Sequence, residues 1–126
     1  MPDFDWVTEY ARCSIGALFE KLKLQLQEDV DKRQELRGSG PSYKFVLLHN
    51  SEKATVLIEG NNVHESVVFR LSGRAIEVVD DEGNVRFTAT PTLNDEGECR
   101  LKINGEEKEL WHLRKMALEE LFFRRS

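Results

Sequence analysis

Cysteine is nearly missing from this chain: Cys13 and Cys99 are the only two among 126 residues. Two are too few for a disulfide scaffold, and no Cys-x-x-Cys or Cys/His ligand spacing occurs, so structural zinc and cluster-binding classes drop out. Both cysteines sit in apolar surroundings and are expected to be packed thiols, with an intramolecular bridge or a reactive thiol as the alternatives. Long apolar runs are also lacking, and none approaches the length that spans a bilayer. The opening MPDFDWVTEY has no basic stretch followed by an apolar one, so no secretory leader is expected and the cytoplasm is the expected location. A basic excess is lacking too. The 18 Lys and Arg against 23 Asp and Glu leave a formal charge of −5, which argues against a chain whose task is to neutralise nucleic-acid phosphates.

Catalytic signatures are equally scarce. The chain has no Gly-x-Ser-x-Gly elbow, Walker loop, dinucleotide fingerprint or His-Glu-x-x-His helix. The stretch GSGPSYK contains Gly, Ser and Lys, but its Pro and its missing Gly-Lys-Ser/Thr ending make it a linker. The three histidines, His49, His64 and His112, fall at a strand end, beside a turn and on a helix, and form no recognisable dyad or triad. Asp-Glu-Gly occurs twice, at Asp81-Glu82-Gly83 and at Asp95-Glu96-Gly97, fourteen residues apart. Neither copy supplies the alternating oxygen ligands and later Glu of a calcium loop, whereas both suit a hairpin turn that needs Gly at positive φ. No catalytic residue, metal ligand or cofactor is expected.

What remains is a composition of 40% apolar and 33% charged residues, which describes one globular domain over residues 1–126. From about 5 to 36 helix formers dominate, with no Pro and one Gly, so a single long helix is expected there. Gly38, Gly40 and Pro41 place a loop at 37–42. Between 43 and 104 six runs read as strands: YKFVLLH, KATVLIE, ESVVFRL, RAIEVVD, NVRFTAT and ECRLKIN. Their connections are too short for parallel crossovers, so they should pair as an antiparallel meander. Residues 106–110 could add a seventh strand or simply lead into a closing helix at about 109–124. The fold class is therefore α+β, with both helices packed on one face of the sheet.

On the strands, Val67, Phe69, Leu71, Ile76, Val78, Val85, Phe87, Ala89, Cys99, Leu101 and Ile103 alternate with polar neighbours and should face the core. Opposite them, Arg70, Arg86, Thr88, Arg100 and Lys102 form a mildly basic face relieved by Glu77. No exposed aromatic accompanies these charges, so a nucleic-acid strand is not an expected partner.

The helices carry more apolar surface than one sheet covers. On the first helix Val7, Ala11, Ile15, Leu18, Leu22 and Leu26 form a stripe for the sheet, while Trp6, Tyr10, Cys13, Ala17 and Leu24 gather elsewhere. On the last helix Leu110, Leu113, Ala117 and Leu121 form one stripe, Trp111, Leu118 and Phe122 a second, and Met116 with Phe123 a third. Such surplus needs a cover. The expectation is a non-enzymatic protein-interaction domain, with a second copy in a homodimer or another protein as partner and no membrane contact. The candidate contact residues are Trp6, Tyr10, Ala17, Leu24, Trp111, Met116, Phe122 and Phe123. The rival expectation is a small apolar ligand bound or processed in a cavity between sheet and helices.

Overall fold

A computed structural model describes residues 3–37, 43–60 and 63–123. The chain runs α1 (Trp6–Arg12), α2 (Ile15–Arg37), β1 (Tyr43–His49), β2 (Lys53–Gly60), β3 (Val63–Ser72), β4 (Ala75–Val79), β5 (Val85–Leu93), β6 (Cys99–Ile103), β7 (Glu106–Lys108) and α3 (Leu110–Phe123). The strands form one sheet in sequence order, β1 to β7, and each pairs antiparallel with the next. Most of the expected 37–42 loop lies outside the described residues, as does residue 124.

The seventh strand exists because Asn104 and Gly105 both hold positive φ, at 54° and 80°. That pair of conformations makes the tight hairpin whose twist matches the flanking strands. The two Asp-Glu-Gly stretches close turns of one design. At the first, Asp80 Oδ1 accepts from Glu82 N–H (3.0 Å) and Asn84 N–H (2.9 Å). At the second, Asn94 Oδ1 accepts from Glu96 N–H and Glu98 N–H, both at 2.9 Å. Gly83 and Gly97 take φ of 87° and 79°, which an L side chain would resist. The carboxylates of Asp81, Glu82, Asp95 and Glu96 stay exposed, and no metal-holding cluster of three ligands forms among the described residues.

Two differences from the sequence reading matter for function. First, the helix expected over 5–36 breaks at Cys13 and Ser14. Cys13 leaves the helical region with φ −91° and ψ 39°, and Ser14 restarts the chain as the cap of α2, its Oγ accepting from Ala17 N–H at 3.2 Å. Second, Cys13 and Cys99 are not packed free thiols; they form a disulfide across 86 residues of sequence, with Cα atoms 5.5 Å apart. The meander carries Cys99 to the start of β6, beside the α1–α2 break, which no spacing in the sequence records.

The core lies between the sheet and two helices. From α2 it takes Phe19, Leu22, Leu26 and Val30, and from α3 Leu113, Ala117, Leu118, Leu121 and Phe122. The sheet supplies Phe45, Val56, Phe69, Ile76, Val78, Leu101 and Ile103. Fully burying a side chain of this size is worth about 1.5–3 kcal/mol, so this layer dominates the stability. The stripe expected on the first helix holds along α2 only, since Val7 and Ala11 are exposed on α1.

A register shift between Val78 and Val79 alters the start of β5. Val85 is exposed rather than in the core. Arg86, expected on the open face, sends Nη1 to the Ala117 carbonyl of α3 at 3.3 Å. The remaining open face is less basic than its residue types suggest, because Arg70 pairs with Glu77 (2.8 Å) and Arg100 with Glu98 (2.7 Å). At the β1 edge, α2 lies close enough for Gln34 Oε1 to accept from Phe45 N–H at 2.8 Å, which shields part of an otherwise sticky strand.

Candidate protein-interaction site

A groove of about 620 Å³ opens between the C-terminal half of α2 and α3. Its apolar lining comes from Leu36 on α2 and from Trp111, Leu118, Phe122 and Phe123 on α3. Helical spacing explains the set: Trp111, Leu118 and Phe122 recur at seven and four residues, which keeps them on one flank of α3. Phe122 and Leu118 are buried in the floor, whereas Trp111 and Phe123 stand on the walls about half and two-thirds exposed (49% and 66%). Arg33 braces the floor. Its Nε donates to the Phe122 carbonyl at 2.8 Å, and its guanidinium lies 5.0 Å from the Phe45 ring centre and 5.1 Å from that of Phe123.

Charges rim the groove, with Lys32, Arg33, Arg114 and Lys115 against only Asp29 and Glu119. Arg114 Nη1 meets both carboxylate oxygens of Asp29 at 2.7 Å, tying α3 to α2, and Lys115 meets Glu119 at 2.6 Å. Burial pushes the Asp29 carboxyl above the ordinary aspartate range, and the Arg114 cation opposes that shift. Counting Arg33 of the floor, the groove lining carries four cations against two carboxylates, and Lys32 lies 3.9 Å from Glu35.

The second apolar surface is α1, which buries none of its residues. Asp5 caps it, Oδ1 accepting from Thr8 N–H at 3.1 Å and Oδ2 from the Thr8 hydroxyl at 2.6 Å. These bonds hold the Asp5 carboxyl below its ordinary value. Trp6 and Tyr10, four residues apart, share one face and are each 61% exposed, with Val7 beside them. The helix is nevertheless anchored at both ends. The disulfide holds Cys13, and the Phe4 ring lies against Gly97 so closely that a Cβ there would come within 2.6 Å of it.

The structure divides the eight candidate contact residues into groups. Trp111 and Phe123 meet at the groove with Phe122, which belongs mainly to the core. Trp6 and Tyr10 stand together on α1. Ala17 and Leu24 are exposed along α2, Leu24 at 70%, while Met116 packs partly against the core. Leu36, Arg33 and Lys32 belong to the groove although the sequence did not single them out. Leu36 sits at the end of a charged run, Asp31 to Glu35, so its apolar role had no local pattern to reveal it.

The histidines stay apart. His49 and His64 oppose Ala54 and Glu59 rather than each other, and His112 stacks on Trp111 with ring centres 3.8 Å apart. His112 Nδ1 accepts from Glu109 N–H at 3.1 Å, a helix-capping bond that gives it a structural task. No helix of the described residues is long and apolar enough to cross a membrane. Comparison of the chain with protein-family models, with curated proteins and with solved structures finds no match.

Proposed function

We propose that this is a non-enzymatic protein-interaction domain that accepts an apolar, acid-flanked segment of a protein chain in the groove between α2 and α3. The observation that carries this reading is the pairing of exposed Trp111, Phe123 and Leu36 with a rim in which cations outnumber carboxylates. Aromatic side chains that line a concave surface supply large contact area at modest entropic cost, and Arg and Trp are the usual anchors of protein interfaces. The rim charges select for orientation and sign rather than raw affinity. The rival reading, a small ligand between sheet and helices, draws no comparable support, because that layer is filled by Phe19, Phe69, Leu22 and Ile76. The disulfide argues for an oxidising compartment over the cytoplasm expected from sequence, since such bonds persist where thiols are not kept reduced.

Selection from a random peptide library on the folded, disulfide-bonded protein tests the proposal. Enrichment of aromatic, acidic sequences whose binding is lost in Trp111→Asp and Phe123→Asp is the expected result. Failure of the protein, held dilute enough to be monomeric, to enrich any sequence, or equal binding to both variants, would overturn it.

A further inference from the structure

Resting on the reading of the groove as a docking site, we infer that its occupant is α1 of a second copy of this chain, exchanged reciprocally in a two-fold dimer. The chemistry of the two surfaces is complementary. The segment from Asp3 to Arg12 presents Trp6, Val7 and Tyr10 with the carboxylates of Asp3, Asp5 and Glu9 and a single cation, Arg12. The groove presents Trp111, Phe123 and Leu36 within a cation-rich rim. Both surfaces offer aromatics, but carboxylates exceed cations on the segment, where Arg12 pairs with Glu9, and cations exceed carboxylates along the groove.

A copy cannot fill its own groove. The disulfide at Cys13 and the Phe4 contact with Gly97 hold α1 at the N-terminal end of α2. From Ile15 to Arg33 the helix rises about 27 Å, and α1 itself spans only about 10 Å. The Leu36 and Phe123 end of the groove therefore sits at the opposite end of α2 from α1, while its Trp111 end reaches back towards Lys21 and Gln25. Two α2 helices laid antiparallel would bring each α1 to the other copy's groove, so both contacts form in one closed pair and no open filament results.

The middle of α2 has the residues that such an axis requires. Leu24, 70% exposed, lies near the centre of the Ile15–Arg37 helix and would sit at the axis, across from Gln25 of the other copy. Lys21 and Glu28 lie on the same exposed side, symmetric about the position between residues 24 and 25, and neither forms an ion pair among the described residues. In an antiparallel pair Lys21 of one copy faces Glu28 of the other, twice.

Sedimentation of the full-length, disulfide-bonded protein over a concentration series decides the matter. A dimer is expected, with Trp6→Asp and Phe123→Asp each weakening it by about tenfold or more. Mixing those two variants should produce a heterodimer tighter than either variant alone, because one of its two contacts has both wild-type surfaces. Lys21→Glu and Glu28→Lys should each weaken the dimer, and the double variant should restore it. All four positions are exposed, and circular dichroism confirms that each variant folds. A monomer at about 100 µM, a dimer indifferent to Trp6→Asp, or assemblies that keep growing with concentration would each overturn the inference. If the monomer still binds selected library peptides through the groove, only the self-exchange falls; if it binds none, the docking reading falls with it.

Discussion

The helices α1 and α2 are consecutive, read in the sequence as one helix, and have opposite fates. Four side chains of α2, Phe19, Leu22, Leu26 and Val30, are buried against the sheet, while α1 buries none and shows Trp6, Val7 and Tyr10 to solvent. An apolar stripe therefore identifies surface that can be buried, not surface that is. What separates the two is the reach of the sheet, together with two local events at Cys13 and Ser14 that redirect the chain. Packing makes α2 part of the fold; a covalent bond and one aromatic contact merely hold α1 in place.

The largest expected effect lies on the packed side. Leu22→Ala should cost about 2–5 kcal/mol, as a cavity in a close-packed layer does, whereas Val7→Ala should stay within about 0.5 kcal/mol in the monomer. Urea unfolding of both variants tests this, and equal losses would erase the distinction between the helices. Next, replacing both cysteines by serine should lower stability by about 2–4 kcal/mol through the larger entropy of the open chain. Hydrogen exchange should then speed up throughout α1 with α2 still protected, because only α1 depends on the tether.

Gly97→Ala should cost about 1–2 kcal/mol, since it forces a side chain into positive φ. It also displaces the Phe4 ring, so the Trp6 fluorescence should change with it. The smallest effect separates the helices by proton affinity. Asp5 on α1 is shifted down by its bonds to Thr8, so its support for α1 is present above the ordinary aspartate pKa and is lost as pH falls through the lowered value. Asp29 on α2 is shifted up by burial, so the folded state binds its proton more tightly than the unfolded one. Its contribution therefore declines as pH rises from the ordinary value through the raised one. Carboxyl-carbon NMR titration should place the two on opposite sides of a free aspartate.

Much of the architecture was legible from local pattern. Period-two alternation in runs such as ESVVFRL marked the strands, and Asp-Glu-Gly marked turns that Asp80 and Asn94 close through their side-chain oxygens. The short hairpin between β6 and β7 was open in the sequence because Asn104-Gly105 suits both a turn and a strand end. Trp111 and Phe123 could be singled out as surplus apolar surface, but not Leu36, whose neighbours are charged. Arg86 was misplaced because one shifted register between Val78 and Val79 reverses the face on which the first residues of β5 project.

By itself, the sequence determined the meander, the turns and the amphipathic character of the helices, because each depends on residues within a few positions of one another. Only the tertiary structure decided that Cys13 bonds Cys99, that the helix breaks before Ile15, and that α2 and α3 leave a groove lined by more cations than carboxylates. Those outcomes depend on distances between residues far apart in the chain, and such distances exist only once the sheet has set where each helix can rest.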